Sequence, residues 1–373
     1  MFKKTLAAVA VLGAFAGSAV AANVTLYGVV DEALNYTYLK GQGEGYSYTN
    51  QAYGMKNGVT AGSRWGVKGQ EELGNGYTVG FQLESGFDAD TGKMGQGNRL
   101  FGRVSSLYVT GPFGTLAAGR DGALDSGLGT VSYLYQYSAF GTGWNTVSAA
   151  GLFKFGYADR ADNTLTYVTP DLGGVKLYAQ YSFAADGQEK VSSNDNNRYA
   201  ALGAQYKAGA FSTGLVVDML KKAEGDGEDL DDQFKVSYGA SYDFGVAKVM
   251  GMAQYTKHMA AFGSNAALVD PEGETFKLAT GDLEGYNFNL GTIVPVAGGN
   301  LFAQVNYVHV KDKAAEEGVS NKGDGYGLGL GYQYALSKRT SVYTYGGYSY
   351  YKAKPNNEKL KLGEVGLGLV HKF

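Results

Sequence analysis

The sequence predicts an all-β protein: a 16-stranded antiparallel transmembrane β-barrel with short turns at one rim and long loops at the other. The chain holds 58 glycines, 30 tyrosines and only 5 prolines among 373 residues. After its first 21 residues, its apolar side chains stand singly between polar or glycine neighbours. A membrane barrel turns apolar side chains outward and keeps polar ones inside, so its strands alternate without a conventional core. No apolar run beyond residue 21 is long enough for a membrane-spanning helix.

The first 21 residues are typical of a secretory signal peptide. Lys3 and Lys4 precede a small-residue apolar run, and Ala19-Val20-Ala21 fits an A-x-A cleavage site. We therefore expect cleavage, which leaves residues 22–373 as one barrel domain. Removing two lysines from the 32 basic residues leaves 30 against 35 acidic ones, a net charge of about −5 that argues against a nucleic-acid partner. The absence of cysteine excludes a disulfide scaffold and cysteine-based metal or redox chemistry.

Period-two alternation marks the strands in order along the chain. In residues 77–84 one face is Tyr77, Val79, Phe81 and Leu83, and the other is Thr78, Gly80, Gln82 and Glu84. The same split recurs in residues 175–182, 233–243, 286–290 and 326–334. Each run has about 10 residues, the length that a tilted strand needs to cross a bilayer. An exposed antiparallel sandwich is the alternative, and it lacks the apolar faces that would meet in its core.

Short and long connections alternate between these strands, which predicts that both termini lie at the rim of short turns. The short turns are residues 71–76, 111–114, 169–174, 207–210, 244–246, 294–299 and 337–340. The long loops are residues 36–60, 89–98, 121–158, 185–197, 221–231, 259–282, 312–324 and 353–361. Seven turns and eight loops join 16 strands in one domain.

The third long loop is the longest, with about 38 residues, and a loop of that length in a compact protein usually has a function. Its aromatic side chains would prefer burial, so we predict that the loop folds into the barrel and narrows the lumen. These side chains are Tyr133, Tyr135, Tyr137, Phe140 and Trp144. A disordered surface loop is the alternative.

The strand around Trp65 carries cations on one face. An arginine that faced lipid near the bilayer midplane would cost about 2–4 kcal/mol. We therefore predict that Trp65 faces lipid, whereas Arg64 and Lys68 face the lumen. The same argument places Arg160 inside. The predicted wall of the constriction comprises Arg64, Lys68, Arg103, Arg120 and Arg160, with Arg99 flanking the same region.

Carboxylates stand at both ends of the third loop: Asp121 and Asp125 at its start, and Asp159 at its end. A basic wall opposite an acidic loop would place a transverse field across the lumen, as charged rings do in selective pores. In the alternative, the arginines brace the inner wall by pairing with loop carboxylates. The two roles are compatible.

Other motifs carry no chemistry. Residues 224–232 hold six acids without the spacing of an EF-hand, which predicts a solvated loop; weak divalent bridging to lipopolysaccharide is the alternative. His258, His309 and His371 fall on separate strands, and there is no nucleophile elbow or phosphate-binding loop. We therefore expect no enzymatic activity, no cofactor and no metal.

With these residues in hand, the chain resembles the general trimeric porins of Gram-negative bacteria, of the beta-proteobacterial and neisserial type. The resemblance runs over essentially the whole chain after residue 21. It is carried by VTLYG (24–28), SRWGVKGQEELGNGYTVGFQLESGF (63–87), GPFGTLAAGR (111–120), DNTLTYVTPDLGG (162–174) and ALSKRTSVYTYGGY (335–348).

The resemblance implies a homotrimer in the bacterial outer membrane, with the third loop as the constriction of a water-filled channel for ions and small hydrophilic solutes. It implies that Arg64, Arg103 and Arg160 face loop carboxylates, and that the terminal Phe373 is the signal for the barrel-insertion machinery. Outer-membrane lipid and lipopolysaccharide are the other expected partners. A solute-specific channel, with Trp144 and the loop tyrosines as its aromatic surface, stays as an alternative, as does an adhesin or receptor acting through surface loops. The preference between anions and cations stays open.

Overall fold

The computed structural model describes residues 23–144, 155, 159–187, 189–223, 231–262, 279–313, 321–354 and 357–373. The predicted signal peptide, most of the acidic run 224–232 and most of the loop 259–282 lie outside the described residues. The described chain forms one sheet of 17 antiparallel strands. Within the same residues, no helix has both the length and the apolar character needed to span a membrane.

The strands follow the order of the chain. They are β1 Thr25–Gly43, β2 Tyr46–Asn57, β3 Arg64–Gly74, β4 Tyr77–Gly86, β5 Val104–Gly111, β6 Gly114–Gly122, β7 Arg160–Val168, β8 Val175–Ser182, β9 Arg198–Ala208, β10 Phe211–Lys221, β11 Gln233–Asp243, β12 Lys248–Phe262, β13 Ala279–Val296, β14 Gly299–Asp312, β15 Lys322–Ala335, β16 Thr340–Lys354 and β17 Lys359–Lys372. Short helical turns lie at Gly95–Asn98, Leu134–Tyr137 and Ser193–Asp195. All seven predicted short turns join paired strands.

Hydrogen bonding closes the sheet into a barrel. From β3 to β17 each strand pairs with the next, and β1 pairs with β17 on one side and with β3 on the other. At the seam, Phe373 and Gly28 exchange two backbone hydrogen bonds of 3.1 Å. Because β1 and β3–β17 form the ring, the prediction of a closed 16-stranded antiparallel barrel is confirmed.

One strand is additional to the prediction. Part of the predicted first loop, residues 36–60, is a hairpin in which β1 continues outward and β2 returns beside it. β2 and β3 lie end to end along the same edge of β1, β2 against residues 32–43 and β3 against residues 25–29. Glu44 and Gly45, the latter at a φ of 81°, make the two-residue turn, a connection length that hairpins favour.

Side chains alternate between the outer surface and the lumen as predicted. Along β15, Tyr326, Leu328 and Leu330 are 56%, 48% and 48% exposed, whereas the inward Gln180 and Gln254 of other strands are buried. Exposed apolar rows around a closed ring are what a lipid environment requires of the exterior of a barrel.

The inner face is apolar in one sector. The strands β12–β17 have 14–18 residues, against 8–10 for β4–β8, so this wall exceeds the length needed to cross a bilayer. Near its long-loop rim, inward side chains pack around the buried Phe155 of the third loop. The cluster is Leu39, Phe155, Met259, Leu283, Val308, Val310, Tyr351, Leu360 and Leu362.

Candidate functional site

The third loop, residues 123–159, leaves β6 and first crosses to β10 and β11. The hydroxyl of Tyr133 donates to the carbonyl oxygen of Leu215 at 2.7 Å. The hydroxyl of Tyr137 lies 2.9 Å from Ser212 Oγ, and both tyrosine rings are buried. The prediction that this loop folds into the barrel is confirmed, and its aromatic side chains do the packing.

The end of the described loop packs on β14 and β16. Trp144 lies among Phe302, Tyr343 and Tyr345, with ring centroids 5.3–5.9 Å apart. Its backbone N–H donates to the carbonyl oxygen of Val59 at 2.5 Å. With only 5% of its surface exposed, Trp144 holds the loop to the wall and offers no aromatic surface to a passing solute.

Between these two ends, β14 binds the backbone of the loop. Gln304 Oε1 accepts hydrogen bonds from Ser138 Oγ and from the Ala139 N–H, both at 2.9 Å. The loop therefore lies against the inner face from β10 to β16. The opposite side of the barrel, from β3 to β5, carries none of the loop contacts described above, and we call it the open wall.

A buried ion cluster fixes the base of the loop. Lys235 Nζ lies 2.6 Å from the carboxylate of Asp125 and 3.4 Å from that of Asp218, and no side chain of the three is more than 5% exposed. Lys235 also donates to the carbonyl oxygen of Phe155 at 3.4 Å. Burial, with Asp125 nearby, raises the pKa of Tyr135 well above its ordinary value. Asp125 thus serves as the anchor of the base of the loop.

Glycines on the inner face of β10 and β11 make room for the tyrosines of the loop. A Cβ on Gly239 would lie 2.4 Å from an atom of the Tyr137 ring, and a Cβ on Gly214 would lie 2.8 Å from an atom of the Tyr133 ring. Glycine in a strand interior often marks such a close approach.

We expect Gly239→Val to lower the free energy of unfolding by about 1–3 kcal/mol, because the added side chain overpacks the contact with Tyr137. Thermal or denaturant unfolding of the barrel, followed by circular dichroism, measures this. Gly54→Val is the control, since nothing lies within 4 Å of a Cβ at Gly54. Equal stability of the two variants would show that the tyrosine does not need the glycine.

The open wall carries arginines that share a carboxylate of the same wall. Glu84 of β4 lies 2.7 Å from Arg103 Nε and 3.6 Å from Arg64 Nε, and it accepts the hydroxyl of Tyr27 at 2.9 Å. Lys68 Nζ lies 5.3 Å from the centroid of the same tyrosine ring. Arg64 and Lys68 thus lie on the same inner face as Glu84 and Tyr27, and their role in the constriction stays a prediction.

A second carboxylate serves the neighbouring strands. Asp162 of β7 accepts Arg120 Nη1 at 2.6 Å and Arg99 Nη1 at 2.7 Å. Arg160 donates its Nε to the carbonyl oxygen of Arg103 at 2.8 Å and is 8% exposed. The basic wall, as we use the term below, consists of Arg64, Lys68, Arg99, Arg103, Arg120 and Arg160.

The structure brings the predicted cations together but does not set the predicted loop acids opposite them. Asp121, at the end of β6, is buried and accepts the backbone N–H of Thr130 at 2.8 Å together with its hydroxyl. Asp125 pairs with Lys235 on the opposite wall. Asp159 is exposed beside Arg160. Their role in the constriction stays a prediction.

From the sequence, Arg99 was placed only beside the wall, and neither Glu84 nor Asp162 was assigned as a partner of the arginines. A signal for Glu84 was available, because the tight turn after β3 fixes the register of β3 on β4. That register sets Glu84 opposite Gly66, which stands between two inward cations. The register of Asp162 against Arg120 spans the third loop, and no turn fixes it.

The chain matches known proteins over nearly its whole length. A family model described as Gram-negative porin matches residues 7–356. An outer membrane porin protein of Bordetella pertussis is 32% identical over an alignment of 398 positions, gaps included, which covers 100% of both chains. The outer membrane porin protein 32 of Delftia acidovorans is 31% identical, over 91% of this chain and 88% of its own length.

A solved structure agrees with these matches. The anion-selective porin from Comamonas acidovorans superposes with a TM-score of 0.66 and 27% identity, over 94% of this chain and 100% of that chain. The sequence matches and the closed barrel with its inward loop lead to the same conclusion. This chain belongs to the family of Gram-negative porins and forms an outer-membrane channel for passive diffusion of solutes.

Proposed function

We propose that this porin prefers anions and that the basic wall sets the preference. The observation that carries the proposal is the local balance of charge around the open side of the lumen. The six cations of the basic wall stand with four carboxylates, which leaves a net charge of +2. The carboxylates are Glu84, Asp162, Asp121 and Asp159.

Between Asp125 and Asp159, the third loop adds no opposing charge. Residues 126–158 contain no Asp or Glu and one lysine, Lys154. The sequence predicted a transverse field between a basic wall and an acidic loop. We propose instead that the field comes from the basic wall alone. Such a field attracts anions and repels cations at the narrowest part of the lumen.

The arginines of the basic wall keep donors for a passing anion. The side chains of Arg99 and Arg64 are 41% and 25% exposed. Guanidinium groups present several N–H donors in a fixed plane, which suits anionic oxygens and chloride. The bracing role and the filtering role are thus compatible, because pairing with Glu84 and Asp162 leaves donors free.

The size of the effect follows from Coulomb's law. A net charge of +2 about 8 Å from an ion in water is worth about 1 kcal/mol, and salt at 0.1 M roughly halves that. An anion gains this energy and a cation loses it, so the expected permeability ratio is on the order of 5. A preference of this size agrees with a diffusion channel, in which solutes leave as readily as they enter. The similarity to a porin described as anion-selective supports the same direction.

Planar-bilayer recording of the purified chain in a potassium chloride gradient tests the proposal. We expect the reversal potential to lie towards the equilibrium potential of chloride, with a chloride-to-potassium permeability ratio of about 5. A reversal potential on the potassium side would overturn it. Conductance that saturates with one solute would favour the solute-specific alternative.

We infer the homotrimer from family membership, and the same recordings test it, since three equal closing steps are expected from each inserted unit. Contact with outer-membrane lipid, with lipopolysaccharide and with the insertion machinery is proposed on the same ground. Phe373 supports the last of these, because its side chain is 48% exposed at the seam of the barrel. The relatives point to a channel and not to an enzyme.

A further inference from the structure

A separate cluster of charged side chains lies at the rim of the long loops, away from the basic wall. It joins three consecutive strands: Asp231 precedes β11, His258 lies in β12 and Asp282 lies in β13. His258 Nδ1 is 3.0 Å from Asp282 Oδ1 and 3.5 Å from Asp231 Oδ2. One ligand atom of each residue lies within 4.8 Å of the other two.

A β-bulge brings the histidine into this position. The register of β12 on β13 shifts between Thr256 and Met259, and His258 has a φ of 57°. Regular alternation would give His258 the inward direction of the buried Thr256. A bulge re-aims a side chain, and here it turns the imidazole to Asp282, whose side chain is 23% exposed.

The distances suit a metal ion at the centre of the cluster. Zinc binds histidine nitrogen and carboxylate oxygen at about 2.0–2.1 Å in tetrahedral geometry, which sets neighbouring ligand atoms about 3.3 Å apart. The two distances from His258 Nδ1, 3.0 and 3.5 Å, bracket that value. A neutral imidazole has one proton at most to share between two carboxylates, whereas a cation serves all three ligand atoms.

We propose that Asp231, His258 and Asp282 bind one divalent transition-metal ion, of which zinc is the representative. One nitrogen and two carboxylate oxygens match zinc, copper or nickel, whereas calcium and magnesium take oxygen ligands almost exclusively. The fourth position is open to water. The bound ion ties the ends of β11, β12 and β13 together at the long-loop rim, which is a role separate from solute diffusion.

A matched control exists on the next two strands. His309 Nδ1 lies 2.9 Å from Asp324 Oδ1, and the same carboxylate accepts the hydroxyl of Tyr307 at 2.8 Å. Among the described residues, this pair is not part of any group with three ligand atoms close enough for a metal. His309 therefore reports what a single histidine–carboxylate pair at the rim contributes to binding.

Calorimetric titration of zinc chloride into the chelator-treated full chain, folded in mild detergent, tests the proposal. We expect one zinc ion per chain, bound more than about tenfold more weakly by His258→Ala and by Asp282→Asn. We expect no change for His309→Ala and no competition by calcium. Binding of cobalt adds a visible absorption band that the His258 variant loses.

Three outcomes would overturn the proposal: no stoichiometric zinc binding by the native sequence, binding that survives in both cluster variants, or equal loss in the His258 and His309 variants. The first outcome would leave only the direct contacts of His258 with its two carboxylates. If His258→Ala fails to fold, His258→Asn replaces it, since asparagine tolerates a positive φ.

Discussion

Replacing Arg64, Lys68 and Arg99 together by glutamine is expected to reverse the ion preference of the channel. The change removes three positive charges from the basic wall, so its local balance with the four nearby carboxylates falls from +2 to −1. By the Coulomb estimate given above, the chloride-to-potassium permeability ratio falls from about 5 to below about 1. The reversal potential in a potassium chloride gradient then changes sign.

These three cations are chosen because their loss leaves the pairs beneath them intact. Glu84 keeps Arg103 at 2.7 Å, and Asp162 keeps Arg120 at 2.6 Å. No carboxylate is left buried without a cation, so the free energy of unfolding is expected to change little. Arg160 is left in place for the same reason, since it is buried and donates to the carbonyl oxygen of Arg103 at the start of β5.

The control removes the same number of charges from the rim of the short turns. Lys338, Arg339 and Lys372 are exposed there, and their replacement by glutamine is expected to leave the reversal potential close to that of the native channel. A shift of equal size in the two triple variants would mean that overall charge, and not the basic wall, sets the preference. An unchanged reversal potential in the first variant would remove these residues from the filter.

Strand alternation made much of this site accessible from sequence. The inward direction of an arginine follows from its apolar neighbours in the strand, because the opposite register would place the arginine in lipid. Arg64 and Lys68 could therefore be assigned to the lumen from Trp65 and one strand alone. The partner of each arginine is harder to predict, since it depends on how neighbouring strands are staggered.

The stagger is fixed only where a tight turn joins two strands. Glu84 follows from the turn between β3 and β4, but Asp162 does not follow from any turn. It reaches Arg120 across a connection of 37 residues between β6 and β7, and residues 145–154 and 156–158 of that connection lie outside the described residues. The pairing of Asp162 with Arg120, which offsets part of the positive charge of the basic wall, could therefore not be predicted from single strands.

The hairpin of β1 and β2 was not predicted, because the composition of this segment is that of a loop. Residues 36–60 are polar and glycine-rich, which is typical of a surface loop, yet Glu44-Gly45 is a two-residue turn between alternating segments. The hairpin affects the third loop inside the barrel. The connection after β2 carries Val59, whose carbonyl oxygen accepts the N–H of Trp144, so the extra strand helps to hold the far end of the third loop.

Lys235→Met is expected to destabilise the barrel by about 3–5 kcal/mol, the cost of leaving a buried charge unpaired. Asp125 and Asp218 would both lose their cation in a site where no side chain is more than 5% exposed. Alternation places Lys235 on the inner face, but only the course of the third loop shows why a lysine is needed there. Unfolding in denaturant, followed by circular dichroism, measures the loss.

The same variant is expected to release the base of the third loop, because Asp125 lies at the start of the loop whereas Lys235 and Asp218 lie on the wall. Single-channel recordings should then show a larger and noisier conductance. Lys257→Met is the control: this lysine is exposed on the adjacent strand, and surface changes stay within about 0.5 kcal/mol.

A neutral version of the cluster separates charge pairing from packing. Lys235→Met combined with Asp125→Asn and Asp218→Asn leaves no buried charge, and replacing a buried ion cluster by neutral residues is often close to neutral for stability. We expect this triple variant to recover most of the lost free energy of unfolding, while the loop stays loose because no ionic contact holds its base. If the triple variant were as unstable as Lys235→Met, the shape of the lysine stem and not its charge would be what holds the loop against the wall.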